Sequence, residues 1–435
     1  MPKMLTRLFQ LSKYPALDSP TLRSNLRAHI SDGALFGLAM SLVSYQTILP
    51  VFIQQVGGSV VAIGSVPVLW LLGLNFPQAI VVGLTHGPGS IKPSVLRYGL
   101  LHRTSFLILG VFTLFFVKSI PSTVSVPLLL AMIFLTAVTG SFGVPPWFQL
   151  FAKTTPMKLR GRLQAVRQLL SSSLGVLGGS VVTIILTMVP FPTSFGLLFI
   201  IAYVFTMLSY RHLRVLTEPP SDTRGEGMHL RSSIIKAGRA ILVRDKNFRN
   251  FLLADSFTFM SLSASAFYAV YAIERFSLSP SYAGTFTVIV MAGMVAGNSV
   301  FGYLADSFGH KVNLVLLAVA SALASAVAMT AGNILIYGMT FVFMSWTTGL
   351  QGISRLSFLA EICSEADRPT YVALANTLTA PTVAVGILFG WVARAYGFEA
   401  MFGAAVLSGA FAAAWLYFRV YEPRRGESKP GVTAL

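Results

Sequence analysis

The sequence predicts an all-α polytopic membrane protein, with twelve transmembrane helices arranged as two pseudo-symmetric six-helix bundles. Three observations carry this expectation. The chain of 435 residues is 54% hydrophobic and only 11% charged, under half the charged share of a soluble domain. Its mean hydropathy is +0.71, and apolar stretches of about 20 residues, long enough to cross a bilayer core, recur along its whole length. A polar break near the middle divides these stretches six and six.

Taken in chain order, residues 1–31 read as a basic cytoplasmic segment. They carry Lys3, Arg7, Lys13, Arg23 and Arg27 and lack the compact apolar core of a cleavable signal. The N-terminal bundle, 32–215, is expected to contain spans at 33–54, 60–84, 95–117, 124–150, 162–189 and 193–215. Residues 216–249 are rich in Pro, Gly and charge and read as a linker. Within them Ile234, Ile235, Ile241 and Leu242 recur at near-helical spacing among Lys and Arg, the pattern of a helix lying on a membrane surface. The C-terminal bundle, 250–421, is expected to hold spans at 250–274, 281–305, 312–331, 333–360, 370–395 and 398–420, followed by a tail at 422–435.

Charge sets the orientation. Of the 32 Lys and Arg, only Lys118, Arg275 and Arg394 fall on one side of this layout. The positive-inside bias therefore puts both termini and the linker in the cytoplasm, with the plasma (inner) membrane as the expected location. The same bias accounts for the net charge of +17 without a nucleic-acid partner. One cysteine, Cys363, excludes a disulfide framework. The six histidines (His29, His86, His102, His212, His229 and His310) read as scattered over separate cytoplasmic loops, so neither a metal nor another cofactor is expected. No GxxxxGK[ST] loop and no cluster of catalytic groups at depth is present, so the chain does not read as an enzyme.

The halves look duplicated. Arg160 and Arg368 lie 208 residues apart, and the same offset pairs Ala152 with Ala360, Ala165 with Ala373 and Gln168 with Asn376. An offset of 223 pairs Asp32, Phe36 and Tyr45 with Asp255, Phe259 and Tyr268. Weak internal symmetry of this kind is the mark of repeat-built transporters.

After the eighth span the chain reads GYLADSFGHK, residues 302–311. This loop resembles the Gly-x-x-x-Asp-basic-x-Gly-basic-basic signature of the major facilitator superfamily (MFS). Gly302, Asp306, Gly309 and Lys311 match, while Ser307 and His310 replace basic residues. The corresponding first-half loop, GLTHGPGSIK, has Gly87 in place of the aspartate. The resemblance implies two bundles rocking about a midplane site, with spans one, four, seven and ten lining the cavity and spans two, five, eight and eleven in contact between halves. It also implies a gating contact of Asp306 with the start of span five, where Arg160 and Arg162 lie; a plain helix-end cap is the alternative. Small-xxx-small pairs at Gly175/Gly179, Gly293/Gly297, Gly386/Gly390 and Ala79/Gly83 suit such contacts, whereas Gly33/Gly37 in span one departs from that pattern.

Polar residues inside spans point to the pathway, because lipid rejects them. Tyr45 and Gln46, Asn75 and Gln78, Tyr268 and Tyr271, and Asn376 are candidates, with Trp147 and Trp346 as flat apolar surface. In span ten Thr348, Gln351 and Arg355 share one helix face. A cavity-facing Arg355 would favour an anionic or zwitterionic solute; the alternatives are a structural pair with Glu361 or nearby carbonyls, or snorkelling to the inner surface. Asp32 and Asp255 read as helix-start caps. The expected function is secondary-active or facilitative transport of a small solute by alternating access, with or without a coupling ion, by a monomer in the lipid bilayer. The alternative is a transport-inactive, permease-like sensor or membrane assembly factor.

Overall fold

The computed structural model describes residues 9, 19–75, 90–219, 240–364 and 367–423. Among them the regular structure is α-helical, with no strand. The helices are α1 (Pro20–Leu42), α2 (Ile48–Gln55), α3 (Val60–Asn75), α4 (Lys92–Phe115), α5 (Ser122–Thr154), α6 (Met157–Met188), α7 (Thr193–Val215), α8 (Lys246–Leu262), α9 (Ser265–Arg275), α10 (Tyr282–Phe308), α11 (His310–Thr330), α12 (Ile334–Ile362), α13 (Arg368–Val383), α14 (Val385–Tyr396) and α15 (Phe398–Arg419). Nine helices among the described residues are long and apolar enough to cross a membrane, counting α8–α9 and α13–α14 as one each. The pair α1–α2, together with α3 and α12, supplies the other three expected spans.

Several spans start earlier than hydropathy suggests. The first begins at Pro20 rather than 33, because Ser19 accepts the Leu22 amide at 3.1 Å and proline occupies the first turn. Leu22 and Leu26 then bury against Phe9, Phe151, Leu159 and Leu163, so residues 20–31 belong to a packed helix. Asp245 caps α8 in the same way, accepting the Phe248 amide at 2.9 Å. Span one is broken at 43–47, where the Ile48 and Leu49 amides both reach the Ser44 carbonyl at 2.9 Å. Span seven breaks between α8 and α9, and span eleven breaks at Ala384, just after Pro381.

Packing divides the chain into two units, Met1–Gly227 with Ile273–Ala292, and Met228–Ala272 with Gly293–Leu435. In the first unit glycine sets how closely helices approach. A Cβ on Gly33 would lie 3.0 Å from the Arg167 guanidinium carbon, and one on Gly37 would overlap Ser171. These two glycines therefore seat α1 on α6. Gly175 and Gly179 face the first part of α10, where Cβ atoms would come within 2.7 Å of Met291 Sδ and 2.9 Å of Val288. In the second unit Gly293 lies against Ser345 of α12, and Gly409 would bring a Cβ within 2.8 Å of Ser261 Oγ. Gly293 thus serves packing with span ten. Ala79 and Gly83 lie outside the described residues. The second unit's core gathers Phe248, Phe251, Leu317, Phe358, Leu359 and Leu416, with Ile241 and Leu242 packed at its edge. Ile234 and Ile235 of the expected surface helix also lie outside the described residues.

One arrangement is built twice. Asn25 Nδ2 donates to the Thr217 carbonyl at 3.0 Å while its Oδ1 accepts the Thr217 amide at 2.9 Å. Asn247 grips Tyr421 identically, at 3.3 and 2.8 Å. The next residue in each case is a glutamate. Glu218 accepts the Ile91 and Lys92 amides at 3.0 and 2.9 Å, together with Ser90 Oγ and Lys153 Nζ. Glu422 accepts the Lys311 amide at 2.8 Å. Each unit's last span thereby supplies a carboxylate to the positive N-terminus of its third span. Gly309, at φ +89, makes room for Glu422, since any Cβ there would overlap the carboxyl group. The 208-residue offset has a physical basis too: Arg160 donates to the Ala152 carbonyl at 2.7 Å and Arg368 to the Ala360 carbonyl at 3.3 Å.

Candidate functional site

The second unit buries an ion pair within its spans. Asp255 lies on α8 about 14 Å past the helix start at 1.5 Å per residue, so it is no cap; Asp245 holds that role. Asp255 is 4% exposed and accepts Arg355 of α12 through Nε at 3.0 and 3.2 Å and Nη2 at 2.8 Å. Arg355 further donates to Asn376 Oδ1 at 2.9 Å and Thr379 Oγ1 at 3.4 Å on α13. Its guanidinium also sits 5.1 Å from the Phe259 ring centre. Every face of the arginine is occupied, as a buried charge requires. The charges in this network cancel. Glu361, the alternative partner, instead faces His310 at 3.7 Å.

The first unit carries a related network with a different balance. Asp32, also 4% exposed, lies on α1 about 18 Å beyond Pro20; Ser19 is the cap. Its Oδ1 accepts Ser209 Oγ at 2.7 Å, and its Oδ2 accepts Arg167 Nη1 at 3.1 Å. Arg103 of α4 approaches the same carboxylate at 4.0 Å while donating to the Thr206 and Gly99 carbonyls at 2.7 and 2.8 Å. Arg167 also donates from Nη1 to the His29 carbonyl and lies 4.8 Å over the Trp147 ring. Two arginines thus face one carboxylate, leaving an excess positive charge.

The duplicated Asp-x-x-x-Phe turn explains both networks. In each unit an aspartate and the phenylalanine one turn on hold an arginine: Phe36 lies 6.0 Å from Arg103 and Phe259 lies 5.1 Å from Arg355. Arg103, Arg167 and Ser209 were not apparent from sequence, because basic residues flanking apolar stretches read as loop charges. The described histidines, His29, His102, His212 and His310, likewise lie on helices, while His86 and His229 lie outside the described residues. His29 on α1 bonds Thr154 Oγ1 at 2.8 Å, and His102 on α4 bonds the Thr136 carbonyl at 3.0 Å. His310 bonds Ser354 at 3.1 Å.

The other expected positions separate into groups. Arg355 and Asn376 meet, as described. Gln351 and Thr348 are half-buried on the same face of α12, and Trp346 packs edge-on against Phe301 and Phe343. Tyr45 stacks on Trp70 at 5.8 Å in the break of span one, beside half-buried Gln46; the adjacent Thr47 bonds Thr287 at 2.7 Å. Trp147 is sandwiched between Arg167 and Phe151. Tyr268 is a packing residue: its hydroxyl bonds Ser325 at 2.8 Å and its carbonyl accepts Tyr337 Oη at 2.8 Å. Tyr271 packs among Tyr337, Phe398 and Phe402. Asn75, exposed, donates to the Leu71 carbonyl of its own helix, and Gln78 lies outside the described residues.

Residues 302–308 of the expected loop are the last turns of α10, with the break at Gly309; there Asp306 is exposed and Gly302 stands in open space. The carboxylate capping α11 is Glu422, and Lys311 Nζ donates to the Tyr417 carbonyl at 3.0 Å. Arg160 folds onto the end of α5, donating to the Thr155 carbonyl at 3.0 Å as well as to Ala152, and Arg162 is exposed. Gly87 lies outside the described residues. No group of three His, Cys, Asp or Glu able to hold a metal occurs among the described residues.

With this geometry in hand, known proteins supply a frame. Residues 251–434 match the profile of the Major Facilitator Superfamily. No curated protein matches the chain by sequence. Among solved structures, a mutant form of the nucleoside transporter NupG is similar with a TM-score of 0.70 at 12% identity, covering 90% of this chain and 98% of its own. A D-xylose-proton symporter is similar at 0.69 and 16% identity, with coverages of 93% and 99%. A bacterial homologue of the human lysosomal transporter Spinster is similar at 0.65 and 14% identity, with coverages of 95% and 100%. The match to the Major Facilitator Superfamily spans residues 251–434, and over the whole length the likeness to these transporters is, at these identities, one of fold.

Proposed function

We propose that the chain moves a small solute across the bilayer by alternating access, as a secondary-active or facilitative transporter. The observation that carries this reading is the pair of charged networks buried within the spans. A charge in a spanning helix is costly and is retained chiefly along solute or ion pathways, and repeat-built transporters bind near the midplane on broken helices. Asp32 and Asp255 lie on spans one and seven, two of the three spans that break. The similar folds named for a nucleoside transporter and a D-xylose-proton symporter agree with a small polar solute. Asp32 and Asp255, the buried carboxylates of these networks, are the groups a coupling proton would use. Tyr45, Gln46, Trp147, Trp346, Gln351, Arg355 and Asn376 are the proposed pathway residues. Asp306, exposed, is the proposed gating carboxylate.

The charge asymmetry supports cytoplasmic termini in the plasma (inner) membrane, with six-helix bundles at 32–215 and 250–421. An impermeant thiol reagent applied outside intact cells should leave a cysteine at position 230 unlabelled on a Cys363→Ser background; labelling there would overturn the orientation. The function itself is tested in two stages. Purified protein is screened by thermal shift against nucleosides, pentoses, amino acids and carboxylates, since a ligand of the folded state stabilises it. A stabilising solute is then offered to proteoliposomes, where uptake above protein-free vesicles is expected. Binding without uptake would favour the sensor reading.

A further inference from the structure

Arg103 and Arg355 use every direction of their guanidinium groups, but Arg167 does not. Its Nη1 serves the His29 carbonyl and Asp32, while Nε and Nη2 donate to nothing among the described residues. Neither of these atoms is sealed from solvent. Together they form the side-on fork that meets two oxygens of one carboxylate or phosphate. Ser171 lies one turn further along the same face of α6; its hydroxyl is also without a partner among the described residues. Gln164, one turn before Arg167, is exposed and unpaired among them.

The neighbouring helix bears directly on these two side chains. Gly33 and Gly37 of α1 face Arg167 and Ser171, and a Cβ on Gly33 would lie 3.1 Å from Arg167 Nε. The local charge also calls for an anion, since one carboxylate, Asp32, faces two arginines at 3.1 and 4.0 Å. Asp32 holds the Nη1 edge of Arg167 and so orients the open edge.

We propose that Arg167, with Ser171 as second donor, binds the anionic group of the transported solute, a carboxylate or phosphate. This assignment rests on the transport reading above and moves the anion preference from Arg355, which is neutralised, to the first unit. Asp32 is then a competitor for Arg167, held until the solute arrives.

The test measures binding directly, so that it stands apart from transport. Purified full-length protein is titrated calorimetrically with acetate, benzoate, succinate and inorganic phosphate, with neutral benzamide as control. At least one anion should bind and benzamide should not; carboxylates alone or phosphate alone would name the group. Arg167→Gln should weaken that anion at least tenfold, and Gly33→Ala, which intrudes on the fork without changing charge, should weaken it severalfold. Asp32→Asn should strengthen it about tenfold, a gain that a purely structural pair would not give. If Arg167→Gln fails to fold, the Asp32→Asn titration decides alone. No anion binding, equal binding by Arg167→Gln, or no gain in Asp32→Asn would overturn the assignment. Binding as expected without uptake in proteoliposomes would leave the anion site standing and remove the transport reading.

Discussion

Replacing Glu218 by glutamine tests whether the carboxylate at the start of α4 works through its charge. Burial opposes the charged form of Glu218. It is outweighed by the Ile91 amide, Ser90, the Lys92 amide and Lys153, which bring its pKa from 4.5 down to about 2. At 1.36 kcal/mol per pKa unit this depression corresponds to a ceiling of about 3 kcal/mol. Lys153 is 26% exposed, and screening at that open edge reduces the expected value to about 1–2 kcal/mol. The sign follows from the depressed value. The stabilisation is complete above about pH 4.5 and is lost as pH falls towards about 2, because the unfolded chain binds the proton first. Glutamine cannot titrate, so the penalty of Glu218→Gln should be about 1–2 kcal/mol at pH 7. It should be unchanged at pH 5 and fall by more than half at pH 3. Unfolding in mixed micelles of rising SDS fraction, followed by tryptophan fluorescence at the three pH values, reads this difference. A penalty of equal size at pH 7 and pH 3 would mean that shape and hydrogen-bond count, rather than charge, hold the helix start.

Removing one member of the buried Asp255–Arg355 pair should cost about 3–5 kcal/mol, whereas Asp255→Asn combined with Arg355→Gln should recover most of it; a double-mutant cycle in the same unfolding assay checks the coupling. Gly284→Ala should lower expression and monodispersity, because the added Cβ would overlap Thr183 of α6, while Gly302→Ala, in open space, should behave like the parent. Fluorescence size-exclusion chromatography distinguishes the two. Asn25→Ala and Asn247→Ala should each cost about 1–3 kcal/mol, since each removes two hydrogen bonds to one peptide unit, and a null effect of both would show that water replaces them.

The all-α membrane class was legible from hydropathy alone, because lipid demands long apolar helices and leaves few other solutions. The start of span one was not. Residues 20–31 hold Arg23 and Arg27, and their helicity comes from the Ser19 cap and from burial of Leu22 and Leu26, which average hydropathy does not weigh. The candidate site was half legible. Arg355 and Asn376 stood out as polar residues in apolar runs, and the offset of 223 marked Asp32 and Phe36 against Asp255 and Phe259. Arg103 and Arg167 stayed hidden because their partner, Asp32, is distant in sequence. Counting them as loop charges also served the orientation argument equally well. Glu218 and Glu422 were passed over as linker and tail residues; the shared Glu-Pro dipeptide after spans six and twelve was the available signal.

The twin clamps bear on which features two halves that look duplicated keep in common. Asn25 and Asn247, and Glu218 and Glu422, all bind main chain: a peptide unit in the first case and helix-start amides in the second. Main chain is chemically the same whatever side chains drift around it, so these four positions had no reason to change. The offset-208 equivalent of Arg355 is Trp147, a cation in one half against an indole in the other. There the partner is a side chain or a solute, and the halves were free to specialise. Ancestral resemblance in a duplicated membrane chain should therefore be sought first at helix ends, where backbone is gripped.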